Sequence, residues 1–133
     1  MADDKTLRTA LLANAAFSGV CAVLMVFQPS LIGGLLGFEA ALSFRLLGVG
    51  LLLFAIDLIH QATRPALVRW RAILASTGDL LWVLASAVGL ILFANHLSQA
   101  GIVAILAVAA IVLGFGCWQV VGLRRLSPPN AMD

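Results

Sequence analysis

Charge is scarce in this chain. Its 133 residues include 8 Lys plus Arg and 6 Asp plus Glu, so charged side chains make up 11% of it. An ordinary soluble domain carries about 25%. So few charges do not cover the surface of a soluble protein of this size. Cysteine is nearly missing as well, and 2 residues cannot build a disulfide-held scaffold. The 12 glycines follow no period, which excludes a collagen-like repeat. No Gly-rich phosphate loop, nucleophile elbow or zinc-ligand spacing occurs, and no motif names a cofactor. What the chain has instead is apolar bulk: 62% hydrophobic residues and a mean hydropathy of +1.09. That excess excludes disorder, which needs low hydrophobicity and high charge. It reads as a single-domain, all-α integral membrane protein.

A membrane-crossing helix needs about 20 mostly apolar residues. Four stretches qualify, at 7–27, 40–61, 73–94 and 100–121. No strand-like alternation is visible, which excludes a barrel. The basic residues give an orientation. Lys5 and Arg8 precede the first span, Arg64, Arg69 and Arg71 separate the second from the third, and Arg124 and Arg125 follow the fourth. The loops at 28–39 and 95–99 contain no Lys or Arg. The positive-inside rule then predicts both termini in the cytoplasm. The Ala13-Asn14-Ala15 triplet resembles a signal-peptide cleavage site. It falls in the middle of an apolar run that reaches Phe27, so cleavage is not expected.

Punctuation is legible too. Pro29 ends the first span, and Arg64-Pro65 ends the second. Residues 30–38, with Gly33, Gly34 and Gly37, are expected to lie along the outer interface as a short amphipathic turn. Residues 127–133 read as a polar tail. Three small-xxx-small pairs, Ala15/Gly19, Ala85/Gly89 and Ala110/Gly114, fit close helix packing.

Ionisable groups at membrane depth carry the functional signal, because each costs about 2.5–3.5 kcal/mol at a helix centre unless it faces protein or water. Asp57 and Asp79 lie within roughly one turn of the same level, counted at about 1.5 Å per residue. With Asn14, His60 and Gln119 they form a polar layer in the inner third of the membrane, a candidate proton or cation site. Two such carboxylates do not both ionise cheaply without a cation between them, and His60 is one turn from Asp57. The alternative is an ion-paired layer, with Asp57 on His60 or Arg64 and Asp79 on Arg71 or Asn14. Arg45 sits near the outer end of the second span, where its stem reaches Glu39 or lipid phosphate. His60 and His96 fall on opposite sides of the membrane, so they share no metal or haem. Cys21 and Cys117 differ too much in depth for a disulfide. The short basic clusters suit anionic lipid rather than nucleic acid.

The segments Asn14-Ala-Ala-Phe-Ser-Gly19, Arg45-Leu-Leu-Gly-Val-Gly50 and Asp79-Leu-Leu-Trp-Val-Leu-Ala-Ser86 resemble those of small, uncharacterised bacterial four-helix inner-membrane proteins. That resemblance implies a four-helix topology and no activity. Three functions fit the residues. The first is a non-enzymatic accessory subunit packed against a larger membrane complex, and it asks least of the sequence. The second is an oligomeric proton-coupled transporter or channel using Asp57 and Asp79. The third is a binder of a lipophilic ligand such as a quinone, pigment or lipid, with Phe54, Trp82, Phe115 and Trp118 lining the pocket. Lipid is the expected surroundings in each case, with other membrane subunits or self-association as partners.

Overall fold

A computed structural model describes residues 4–126, so the polar tail expected at 127–133 lies outside the described residues. The described chain is all helix and turn: α1 Lys5–Phe27, α2 Pro29–Leu36, α3 Ala41–Thr63, α4 Arg69–Phe93, a 3-10 turn Ala94–His96, and α5 Gln99–Arg125. The four long helices are apolar enough to cross a membrane. At about 1.5 Å per residue they are roughly 34–40 Å long, slightly more than a hydrocarbon core of about 30 Å. α4 starts before the span expected at 73–94, and α5 runs past 121 to Arg125. Hydropathy marks the part of a helix that suits hydrocarbon, whereas the hydrogen-bond ladder continues into the interface.

The segment expected as a turn along the outer interface is a helix, α2. Proline at its first position loses no ladder bond there and sets φ for a helix, and Gly37 ends it at φ +94. α2 is clamped to the start of α5. The Ser98 hydroxyl donates to Leu35 O (2.6 Å) and accepts from Gly101 N (2.9 Å), while Ser98 N–H donates to Leu36 O (2.8 Å). Gly101 permits this approach, since a Cβ there would stand 2.7 Å from the Leu36 backbone.

α1 is the central helix. It packs along α3 on one side and α5 on the other, α5 carries α4, and α3 and α4 scarcely touch. Leu7, Leu11, Ala15, Leu58, Ala62, Ala72, Ala75 and Leu123 form the core. Apolar flanks remain bare, with Leu42 71% and Ile91 80% exposed. In a membrane, where lipid tails are as apolar as such side chains, helices are held by close packing and polar contacts rather than by burial from water. The close contacts fall elsewhere than the three small-xxx-small pairs. A Cβ on Gly89 or Gly114 would meet nothing within 4 Å, and one on Gly19 only Ala55 at 4.0 Å. Gly48 and Gly122 make the close approaches instead. Their Cβ positions lie 2.8 Å from Met25 Cβ and 2.7 Å from Leu7 Cα, so α1 is pressed onto α3 and α5 there.

Arg8 holds the basic end together. Its guanidinium donates to Ala62 O (2.8 Å), Arg64 O (2.5 Å) and Pro65 O (3.0 Å), and pairs with Asp4 (2.9 Å). It therefore caps the last turn of α3, whose carbonyls have no ladder partner. A cation in the first turn of a helix runs against the macrodipole, and here it serves a neighbouring helix's C-terminus. Arg8→Gln is expected to cost about 2 kcal/mol, the scale of hydrogen bonds to a charged donor. Thermal melting in mild detergent checks this. Arg8→Lys, without the planar fork, should recover only part of the loss.

Candidate functional site

Three helices meet at Asp79. Its Oδ2 accepts from Asn14 Nδ2 of α1 and from Gln119 Nε2 of α5, both at 2.8 Å. Ser18 Oγ donates to Asn14 Oδ1 at 3.0 Å, and Ser76 Oγ to Gln119 Oε1 at 3.3 Å. Asn14 and Gln119 are fully buried and Asp79 is 4% exposed. Each amide thus uses its oxygen on a hydroxyl and its nitrogen on the carboxylate. No ion pair reaches Asp79 among the described residues.

Asp57 belongs to a different cluster. It accepts from Gln61 Nε2 (2.6 Å) one turn along α3, and it pairs with Arg71 of α4. Arg71 also approaches His60 Nδ1 at 3.3 Å. The polar layer drawn from Asn14, Asp57, His60, Asp79 and Gln119 therefore resolves into two groups. One is buried among α1, α4 and α5. The other bridges α3 and α4 at the basic end, where His60 is exposed. The carboxylates share no hydrogen-bond partner, and Arg71 takes Asp57 rather than Asp79. Gln61 carried no signal beyond its i,i+4 spacing to Asp57. Arg45 and Glu39 are both exposed and form no ion pair with each other. Among the described residues no cluster of metal-ligating side chains occurs.

Because α3 and α4 part, a cavity of about 570 Å³ opens between them. α1 and α5 form its floor, through Phe17, Ser18 and Cys21 and through Ala104, Val108 and Val112. α2 contributes Ile32, Leu35 and Leu36. Phe54 and Gly50 line it from α3, and Gly78, Asp79, Trp82 and Ser86 from α4. The volume lies within the range of about 300–1,000 Å³ usual for small-molecule sites. Of the four aromatic residues expected around a pocket, Phe54 and Trp82 line this one. Phe115 packs on Phe17, with ring centroids 5.7 Å apart, and Trp118 is 39% exposed, so neither lines the cavity. The indole N–H of Trp82 is buried and has no partner among the described residues. The α2 and α5 lining residues escaped sequence reasoning, because an apolar residue within an apolar span does not announce which neighbour it faces.

Fold and site define a class: a small α-helical chain whose four long helices suit a multi-pass membrane protein, with a cavity between two of them. No family model matches the chain, and none of the curated proteins or solved structures matches it.

Proposed function

We propose that this chain is a binder of a lipophilic small molecule, lying in a bacterial inner membrane with both termini cytoplasmic. The observation that carries this reading is the cavity of about 570 Å³ between α3 and α4, apolar except for Ser18, Ser86 and Asp79. α3 and α4 scarcely touch, so a ligand dissolved in the bilayer enters sideways without crossing water. The orientation is supported by where the basic residues gather. Arg8 bonds the carbonyls that end α3, Arg69 reaches Leu123 O (3.3 Å), and Arg125 reaches Thr6 (3.2 Å). These contacts bring the basic ends of all four long helices together, opposite the Leu36–Ser98 clamp.

Gly50→Phe tests the reading. A Cβ at Gly50 meets nothing within 4 Å, and the residue lines the cavity. The ring should take up part of the cavity and obstruct a ligand there, while replacing a helix-interior glycine, which itself costs about 1 kcal/mol relative to Ala. Expected is a melting temperature unchanged or slightly raised, together with loss of lipophilic molecules recovered by solvent extraction of the purified protein. Equal recovery from wild type and Gly50→Phe overturns the proposal. An empty cavity in a protein that copurifies with a second membrane chain would turn the reading to an accessory subunit.

A further inference from the structure

Resting on the cavity as a ligand site, the structure assigns a class to its occupant. We propose that the cavity takes a lipophilic monocation, its positive head against Asp79 and its apolar body along α3 and α4. Three observations converge.

The first is the unused oxygen of Asp79. Both amide donors converge on Oδ2, and Oδ1 takes no hydrogen bond from the described residues. Oδ1 is not among the sealed, unpartnered buried atoms, and Asp79 is a lining residue of the cavity. The second is charge. The other intramembrane carboxylate, Asp57, has Arg71, whereas Asp79 has no cationic partner among the described residues. A carboxylate at membrane depth is costly without a partner, and a cationic ligand supplies one. The third is aromatic. Trp82, one turn from Asp79 on α4, and Phe54 on α3 both line the cavity, and a Cβ at Gly78 would stand 3.6 Å from Phe54 Cε1. Phe54 therefore lies close to the backbone that carries Asp79. A carboxylate with aromatic rings beside it is cation-recognition chemistry, by charge and by the ring quadrupoles. A lipophilic anion would meet Asp79 as a like charge. A neutral lipophile would leave the carboxylate with its two amide donors and no counter-charge.

Size agrees. At roughly 30 Å³ per non-hydrogen atom, about a water molecule's share of liquid volume, the cavity holds on the order of twenty such atoms. That is one alkyl chain or a few fused rings with a small head.

The experiment uses full-length protein in non-ionic detergent and the neutral dye phenylnaphthylamine as the cavity probe. Decyltrimethylammonium, decanol and decanoate compete for it. Wild type should release dye to the ammonium at a concentration about tenfold lower than to decanol, with decanoate weakest. Asp79→Asn keeps an oxygen for Asn14 and Gln119 and removes the charge. It should bind the dye within about twofold of wild type and lose the preference for the ammonium. Equal displacement by ammonium and decanol in wild type, or a preference that survives Asp79→Asn, overturns the monocation assignment and leaves the cavity reading standing. Failure of wild type to bind the dye, or binding unaltered in Gly50→Phe, overturns both. Should Asp79→Asn fail to fold, the comparison of ammonium, alcohol and carboxylate on wild type still decides.

Discussion

Gly122→Leu is expected to separate α1 from α5 and to leave little folded protein. A Cβ at Gly122 would lie 2.7 Å from Leu7 Cα and 2.8 Å from both Leu7 N and Leu7 Cβ. Two of these neighbours are backbone, so no rotamer change relieves the clash and a helix must move. Leu7 and Leu123 belong to the core at this point, so the shift opens the core. Overpacking typically costs about 1–3 kcal/mol, and this case should reach the top of that range or exceed it. Melting in mild detergent measures the loss. Gly114→Leu, on the same helix with nothing within 4 Å of its Cβ, is the control and should change stability by about 0.5 kcal/mol or less. If the two variants melt alike, the α1–α5 contact is not as described.

Asn14→Leu should be nearly as damaging, for a different reason. Asn14 donates to Asp79 and accepts from Ser18 with no exposed surface of its own. Leucine removes both bonds and offers the carboxylate an apolar wall. Hydrogen bonds between membrane helices are worth about 1–2 kcal/mol in model peptides and less on average within proteins. Two bonds plus an underpartnered carboxylate put the expected cost at about 2–3 kcal/mol. Asn14→Leu combined with Asp79→Leu should cost less than the sum of the two single changes, because each removes the same α1–α4 contact. Strict additivity in that cycle would mean the contact contributes nothing.

Much of the helix inventory is legible without coordinates. The runs at 7–27, 40–61, 73–94 and 100–121 each fall within or nearly within a long helix. Pro29 and Arg64-Pro65 stand where helices stop or start. These are local matters of apolar length and of a missing N–H. The site is a different case. Asn14, Asp79 and Gln119 stood out as costly polar groups in apolar spans, yet nothing in their spacing put Asp57 in a separate cluster. On α3, Ser43, Gly50, Phe54, Asp57 and Gln61 form one stripe. The buried residues of α3 are Phe44, Gly48, Ala55, Leu58, Gln61 and Ala62, so of that stripe only Gln61 is buried. Gly50 and Phe54 of the stripe line the cavity and Asp57 meets Arg71 of α4, a role that helical periodicity does not distinguish from a packing face.

The sequence by itself determined that the chain is helical, that four of its helices suit a membrane, and which few polar residues lie deep within them. Those properties follow from composition and from forces acting within one helix. Only the tertiary structure decided which helix is central, which glycines admit a neighbouring backbone, and which donors each carboxylate receives. It also decided that α3 and α4 stand apart around a cavity. Between helices that are apolar on most sides the hydrophobic effect has little preference for one neighbour over another. The arrangement rests instead on backbone approach at Gly48, Gly101 and Gly122 and on the Asn14–Asp79–Gln119 contacts, all of which join residues far apart in the chain.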